Sequence, residues 1–113
     1  EAQEHDPVAF ETASMERIGL PRAIETRYRT PFFRHIFSGG YSAGYYSYIW
    51  AEVLSSDAFA AFQEKGLFDQ ATARSFRTHV LEKGASEEVA ELYRRFRGRE
   101  PSVEPLLERR GLK

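Results

Sequence analysis

A chain of 113 residues is long enough to enclose one hydrophobic core and too short for two. Sixteen Lys and Arg against seventeen Asp and Glu give a net charge of −1, which provides no bulk attraction for nucleic acid or for an anionic membrane. The absence of cysteine excludes disulfides, thiolate metal ligands and thiol nucleophiles.

The first helix is marked by residues that commonly begin and end helices. Asp6 followed by Pro7 is typical of a helix start, and Gly19 is typical of a stop, which together predict a helix over residues 7–18. Residues 22–29 are predicted to form one or two further helical turns before a proline interrupts them.

The middle of the chain is rich in aromatic residues. Residues 30–44 combine proline and glycine with aromatic side chains, which is typical of a loop with an unusual apolar content. Residues 43–54 are densely apolar and predict a buried helix. A membrane span is not predicted, because serine and glycine repeatedly interrupt the apolar run over residues 36–56.

The second half of the chain is predicted to be a series of capped helices. Predicted N-caps and glycine stops alternate in the order Asp57 and Gly66, Asp69 and Gly84, Ser86 and Gly98, Ser102 and Gly111. The most regular helical spacing of apolar side chains falls at Val89, Leu92, Tyr93 and Phe96. No segment alternates apolar and polar residues as a strand would, so the predicted fold class is all-α, with five or six short helices.

A helical projection of residues 43–54 separates two faces. Tyr45, Tyr48 and Glu52 fall within a narrow arc, and Tyr41 joins them if the first turn begins early. A different arc holds the predicted core stripe of Tyr46, Ile49, Trp50, Val53 and Leu54. The projection therefore predicts one phenolic face and one apolar face.

The residues before and on the phenolic face have chemistry suited to binding a peptide. A phenol stays neutral near pH 7 and donates a hydrogen bond, so it can polarise a carbonyl or stabilise an oxyanion. Gly39 and Gly40 permit a positive φ and the close approach of another backbone, and His35 adds a titratable donor. The same residues are also typical of core aromatics, a capping histidine and a turn, and spacing alone favours that packing interpretation.

Metal and phosphate sites are not predicted from the sequence. The three histidines, His5, His35 and His79, do not form a His-Glu-x-x-His pair, so this chain alone does not supply that zinc helix. Residues 84–113 contain six arginines and one lysine against six glutamates. This balance predicts ion pairs within the protein rather than a surface for phosphate.

The aromatic segment and the helices after it resemble part of a known protein family. The stretch FRHIFSGGYSAGYYSYIWAEVL, with DAFAAFQEKGLFD and ELYRRFRGREPSVEPLLERRGL after it, resembles the C-terminal end of the thimet-oligopeptidase family of zinc metallopeptidases. Within the family it is most similar to the bacterial peptidyl-dipeptidase (dipeptidyl carboxypeptidase) branch, and next to oligopeptidase A. The resemblance extends from about Pro7 to Leu112 and reverses the preference for a packing interpretation.

The resemblance implies a large helical peptidase with a deep channel, of which this chain is the C-terminal part of the catalytic domain. In such a peptidase a His-Glu-x-x-His helix and a further Glu bind zinc, and the motif Glu acts as general base. The glycine-rich loop lies over the substrate across from the zinc. By motif position, Tyr48 and His35 correspond to catalytic residues, whereas Tyr41, Tyr45, Gly39 and Gly40 correspond to substrate-binding residues.

The zinc motif would lie upstream of Glu1, which is not an initiator Met. We therefore expect residues 1–113 to be a single C-terminal subdomain, inactive alone, whose partners are the missing N-terminal part and a short peptide substrate. We also expect a cytoplasmic location, with the periplasm left open, and neither nucleic acid nor membrane as a partner. The alternative function is a non-catalytic helical interaction module, and self-association is expected under either hypothesis.

Overall fold

A computed structural model describes residues 6–113 and confirms the all-α prediction. His5 lies outside the described part of the chain. Residues 6–113 form six α-helices, a 3-10 turn and a π-helical turn, and contain no strand. In chain order these are α1 (Pro7–Arg17), the 3-10 turn (Thr30–Phe32), α2 (Arg34–Phe37), α3 (Ser47–Lys65), α4 (Gln70–Phe76), the π turn (Arg77–Leu81), α5 (Val89–Arg97) and α6 (Glu104–Arg109).

The chain divides into two compact units, Glu1–Tyr45 and Tyr46–Lys113. In the first unit, α1 begins as predicted, because the Asp6 carboxylate accepts hydrogen bonds from the backbone N–H groups of Val8 at 2.9 Å and Ala9 at 2.8 Å. The helix ends at Arg17, one residue before the predicted end. None of the helices within residues 6–113 is both long and apolar enough to cross a membrane.

A buried carboxylate on α1 organises the segment that follows. Glu11 is only 7% exposed, and it accepts hydrogen bonds from the Thr30 N–H at 2.7 Å and from the hydroxyls of Thr26 and Thr30, each at 2.8 Å. The Thr30 N–H, followed by the two hydroxyls, holds the pKa of Glu11 below its ordinary value. The helical turns predicted for residues 22–29 are wrong, because this segment is irregular and carries Thr26 to the carboxylate.

The second unit is built on α3, a single helix of 19 residues. The sequence predicted a break before Asp57, with Asp57 as the cap of a second helix, and this prediction is wrong. No proline or glycine occurs between Ser47 and Lys65, and Asp57 is fully buried in the middle of the helix. The predicted stop is confirmed, since α3 ends at Gly66 with a positive φ of 114°.

The core of the second unit lies along the later turns of α3. Its buried apolar residues are Val53, Ala58, Ala61, Leu92, Tyr93 and Leu106. The Phe76 ring contacts the Phe62 ring at 6.1 Å and the Phe96 ring at 5.1 Å, which joins α4 and α5 to α3. Of the predicted stripe, Val53 is buried and Leu54 is half-buried, but the side chains before them are exposed.

The first turns of α3 therefore correct the predicted core stripe. Tyr46, just before the helix, is 70% exposed, Ile49 is 53% exposed and Trp50 is 50% exposed. The core forms only where α6, α4 and α5 pack on the helix, beyond these residues. An apolar surface is thus left uncovered around Ile49 and Trp50.

The remaining helix limits agree with the sequence to within a few residues. Asp69 caps α4 as predicted, its carboxylate accepting from the Thr72 N–H at 2.7 Å. α4 then continues directly into the π turn, which the sequence did not predict. α5 begins at Val89, three residues after the predicted cap, and ends at Gly98 with a φ of 76°. α6 begins at Glu104, whose N–H donates to the predicted cap Ser102 at 3.2 Å.

Candidate functional site

Five rings gather in the first unit and form what we call the ring cluster: Tyr28, Phe33, His35, Tyr41 and Tyr45. Tyr28 stacks on Phe33 with centroids 5.0 Å apart and planes 11° from parallel. Phe33 meets Tyr45 edge-on at 4.6 Å. These offset and edge-to-face arrangements are the favourable ones for aromatic side chains.

His35, on the short helix α2, contacts every other ring of the cluster. Its centroid lies 5.4 Å from that of Tyr45, 6.3 Å from Tyr41 and 5.3 Å from Tyr28. It lies 5.8 Å from Phe33. The structure therefore brings together three of the residues that the resemblance assigned to the site, His35, Tyr41 and Tyr45.

A turn after the glycines aligns two of the three phenols of the cluster, Tyr41 and Tyr45. The Gly44 N–H donates to the Tyr41 carbonyl at 3.1 Å, which closes the turn between the two tyrosines. Their ring centroids lie 6.2 Å apart at 81°. Tyr41 is 37% exposed and Tyr45 is half-buried, so part of the cluster faces outward.

Gly39 and Gly40 correct one expectation, because neither adopts a positive φ. A Cβ at Gly40 would meet open space, whereas a Cβ at Gly39 would lie 3.4 Å from the His35 carbonyl oxygen. The glycines therefore supply a surface without side chains next to His35, rather than a left-handed turn. Such a surface admits the close approach of an extended backbone.

Tyr48 lies in the second unit, on the first turn of α3, and is 51% exposed. Glu52, predicted on the same arc, forms ion pairs with Arg109 at 3.3 Å and with Arg110. These pairs attach the early part of α3 to the C-terminal end of α6. The position of Tyr48 within its unit therefore depends on how α3 is held.

A buried carboxylate holds α3 to α5. The Asp57 carboxylate accepts hydrogen bonds from the Tyr93 hydroxyl at 2.6 Å and from the Arg99 guanidinium at 2.6 Å, and Arg97 lies 3.5 Å away. Arg97 also pairs with Glu64, near the end of α3. We call these five residues the Asp57 network.

Electrostatics within the Asp57 network follow from burial and hydrogen bonding. Burial by itself would raise the pKa of Asp57, but the hydrogen bonds from Tyr93 and Arg99 and the charges of Arg99 and Arg97 outweigh it and lower the pKa. Burial, followed by the hydrogen bond to Asp57, raises the pKa of Tyr93 well above its ordinary value. The carboxylate is thus ionised, and the phenol neutral, across the physiological range.

The residues described here do not fit a zinc site. Among residues 6–113, no three His, Asp or Glu side chains lie close enough together to hold a metal ion. The ring cluster offers one imidazole and no carboxylate. His79 lies on the π turn and belongs to no such group.

Two features near the site escaped prediction from the sequence. Tyr28 and Phe33 complete the ring cluster, and the Arg27 guanidinium carbon lies 5.1 Å from the centre of the Tyr28 ring. Tyr28 lies in residues 22–29, which were predicted to be helical. Because of that prediction, the sequence did not indicate that Tyr28 lies close to His35. The sequence signal that could have indicated these two features is the absence of acidic residues over residues 26–51.

The arginine-rich C-terminal segment forms ion pairs, as its balanced charge predicted. Each arginine there bridges at least one carboxylate within the second unit: Arg94, Arg95, Arg97, Arg99, Arg109 and Arg110. These arginines are therefore already neutralised by neighbouring acids.

Comparison with known proteins supports the predicted resemblance. The family described as Peptidase family M3 matches residues 1–112. Oligopeptidase A of Escherichia coli is 54% identical over 81 residues, which make up 72% of this chain and 12% of that protein. Dipeptidyl carboxypeptidase of Escherichia coli is 41% identical over 110 residues, 97% of this chain and 16% of that protein.

A plant relative gives a similar picture. The probable cytosolic oligopeptidase A of Arabidopsis thaliana is 54% identical over 97 residues, which cover 82% of this chain and 14% of that protein. The chain thus spans only 12% to 16% of the length of these three relatives. The match over almost the whole chain, together with these identities, shows that the chain belongs to peptidase family M3.

Proposed function

We propose that this chain supplies the substrate-binding side of the active site of a zinc peptidase that hydrolyses short peptides. Hydrolysis would release C-terminal dipeptides or cleave within oligopeptides. The observation that carries the proposal is the ring cluster, in which His35, Tyr41 and Tyr45 lie together beside Gly39 and Gly40. Relatives named oligopeptidase A and dipeptidyl carboxypeptidase support a peptide substrate.

Each residue has a role that its chemistry permits. Tyr48 and His35 act as the catalytic donors, since a neutral phenol and an imidazole N–H can stabilise negative charge on the carbonyl oxygen of the scissile bond. Tyr41 and Tyr45 bind the substrate along the ring cluster. The backbone at Gly39 and Gly40 leaves room for the peptide main chain.

The zinc and the general base belong, in this proposal, to the rest of the peptidase. Residues 6–113 do not hold a metal site, and the relatives are six to eight times longer than the stretch that they share with this chain. The partner of this chain is accordingly the N-terminal part of the same protein. We propose a cytoplasmic location, in line with the relative named cytosolic.

The phenol of Tyr48 is tested by Tyr48→Phe in a complete peptidase that carries this segment. Because an oxyanion donor acts in the transition state, its loss should cost about 2–4 kcal/mol, or roughly 30- to 900-fold in kcat, with little change in KM. Steady-state kinetics on a short peptide measure both constants.

Tyr46→Phe is the matched control for that experiment. Tyr46 is a neighbouring, 70% exposed tyrosine that the proposal does not place in the site, so the same atom is removed outside it. We expect this variant to keep the parent kcat. An equal kcat for Tyr48→Phe and the parent would remove the oxyanion role.

The chain by itself should be inactive. We expect no chelator-sensitive cleavage of a short peptide by the purified 113 residues, and no tight zinc binding, because three suitable ligands do not meet within residues 6–113. Peptide hydrolysis followed by chromatography, with and without added zinc, measures the activity. Turnover that is abolished by chelator would contradict the proposal.

A second candidate function is a helical interaction module that self-associates. The observation that favours it is the exposure of Tyr46, just before α3, and of Ile49 and Trp50 on the first turn of that helix. Exposed apolar surface of this kind commonly marks a protein interface. Sedimentation velocity of the purified chain tests this candidate, since a chain that stays monomeric at high concentration would remove it.

A further inference from the structure

The irregular segment that carries Tyr28 has little backbone hydrogen bonding of its own. Within residues 6–113, the N–H groups of residues 25–29 donate to no backbone carbonyl. Tyr28 nevertheless has a defined place, because its ring stacks on Phe33 and lies 5.3 Å from the ring of His35. Contacts other than regular secondary structure must therefore hold this segment against the ring cluster.

The carboxylate of Glu11, on α1, supplies those contacts. Its Oε1 accepts from the Thr26 hydroxyl at 2.8 Å, and its Oε2 accepts from the Thr30 N–H at 2.7 Å and the Thr30 hydroxyl at 2.8 Å. In an extended chain, Thr26 and Thr30 would lie about 13–14 Å apart. Since both donate to one carboxylate, the segment between them is bent, and Tyr28 lies at the middle of the bend.

The hydrogen bonds to Glu11 are of a strong kind. The side chain is 7% exposed, and the hydrogen bonds from Thr30 and Thr26 hold its pKa below the ordinary value, so the carboxylate is ionised at neutral pH. Hydrogen bonds to an ionised acceptor are about twice as strong as those between neutral groups. A carboxylate with three such bonds fixes the bend in one conformation.

The bent segment leads directly into the candidate site. Thr30 begins the 3-10 turn, and its carbonyl accepts from the Phe33 N–H at 3.4 Å. The helix α2, which carries His35, follows at once. Glu11 is therefore connected to His35 by two routes, one through the ring of Tyr28 and one through the backbone after Thr30.

We propose that Glu11 is a positioning residue of the site, whose carboxylate sets the orientation of the His35 ring within the ring cluster. Glu11 acts through Tyr28 and the 3-10 turn rather than on the substrate. The orientation of His35 follows from the structure alone, whereas its effect on catalysis rests on the proposed function. The helix α1, which carries none of the predicted site residues, is then required to align one of them.

The NMR signals of the His35 ring protons report this orientation in the 113-residue chain. The surrounding rings, Tyr28 above all, shift these signals away from those of an exposed histidine. Glu11→Ala removes all three accepted hydrogen bonds. We expect the His35 signals to move towards those of an exposed histidine and the nuclear Overhauser contacts between Tyr28 and His35 to be lost, with the helix content by circular dichroism close to that of the parent.

Two control variants separate these hydrogen bonds from the presence of a charge on α1. In Glu11→Gln the side-chain oxygen can still accept from Thr30, and the amide can donate to the Thr26 hydroxyl, so the His35 signals should stay close to those of the parent. Glu16→Ala is the matched control on the same helix. Glu16 pairs at the surface with Arg22 at 2.8 Å, and its loss should leave the His35 signals unchanged.

A milder change covers the case in which Glu11→Ala does not fold. Thr26→Val removes one of the three donors with little change in shape, so it should shift the His35 signals in the same direction by a smaller amount. Thr26→Ser keeps the hydroxyl and should retain the parent signals.

Kinetics in a complete peptidase that carries this segment test the effect on catalysis. A donor that is displaced from its place in the transition state lowers kcat, so we expect Glu11→Ala to reduce kcat by up to about 100-fold, with a much smaller change in KM. Glu11→Gln should recover most of that loss. Glu16→Ala should keep the parent kcat.

Two results would overturn the positioning role. The first is that the His35 signals are unchanged in Thr26→Val and in folded Glu11→Ala. The second is that Glu16→Ala moves them as much as Glu11→Ala does. The outcome is separable from the proposed function: if the His35 signals moved while kcat stayed at the parent value, the orientation by Glu11 would stand and the catalytic role of His35 would fall.

Discussion

Asp57 is a fully buried carboxylate whose partners come from far along the chain. Tyr93 and Arg99, 36 and 42 residues away in sequence, donate to its two oxygens. Such a group is stable only while its partners remain, because an unpaired buried charge costs several kcal/mol. The Asp57 network is therefore a set of mutually dependent residues rather than a sum of separate contacts.

Replacing the charge of Asp57 tests this dependence. Asp57→Asn keeps the shape and an acceptor for Tyr93 but leaves Arg99 and Arg97 without their buried anion, so the free energy of unfolding should fall by about 2–3 kcal/mol. Urea denaturation followed by circular dichroism measures it. Glu87→Gln is the control. Glu87 pairs with Lys83 and Arg95 at the surface, where water screens the charges, so this variant should lower the free energy of unfolding much less.

The difference in stability between the parent and Asp57→Asn should depend on pH in a defined way. The folded pKa of Asp57 is lowered, so its stabilising contribution is complete above the ordinary carboxyl pKa of about 4 and is lost as the pH falls through the lower, folded value. The stability gap between the parent and Asp57→Asn should narrow over that acidic window. A gap that stays constant from neutral pH to pH 2.5 would mean that the charge contributes nothing.

At the scale of elements, glycines with different backbone angles have different uses. Gly98 ends α5 with a φ of 76°, where any side chain is strained, whereas Gly40 lies outside the left-handed region and faces open space. We expect Gly98→Ala to lower the free energy of unfolding by about 1 kcal/mol and Gly40→Ala to leave it unchanged. Thermal and urea denaturation measure both, and equal losses would contradict the assignment.

Helix ends were predicted well where a single residue decides them. Asp6, Asp69, Gly66 and Gly98 each act locally, through a side-chain oxygen or a positive φ, and a reader of the sequence can see such signals. Asp57 carries the same local signature as Asp69. What distinguishes the two is the presence of distant arginines, which local spacing does not reveal.

The candidate site was predictable only in part, for a similar reason. The glycine and tyrosine spacing, together with the resemblance, indicated His35, Tyr41 and Tyr45, and the structure brings these three together. Tyr28 joins them through an irregular segment that Glu11 holds in place, and no repeat or helical period marks it. The Arg27 contact depends on that segment as well.

At the scale of the whole molecule, the uncovered start of α3 should govern association. Ile49 and Trp50 are about half exposed, and burying such side chains is favourable. We expect the purified chain to self-associate with rising concentration and Trp50→Glu to weaken that association. Sedimentation velocity over a range of concentrations measures it.

Phe68→Glu is the control for association. Phe68 is 89% exposed between α3 and α4, so the same change in charge is made outside the start of α3. We expect this variant to associate like the parent. A chain that remains monomeric at high concentration, or an equal effect of both variants, would show that Trp50 does not form the contact.

The uninterrupted course of α3 also bears on when the site becomes ordered. Its later turns are anchored by Val53 and Asp57, whereas its first turn, with Tyr48, carries mostly exposed side chains. A helix anchored at one end opens from the other, so the amides near Tyr48 should exchange with solvent far more readily than those near Asp57. Whatever covers Ile49 and Trp50 would close that opening. Assembly and the alignment of Tyr48 would then be one and the same event.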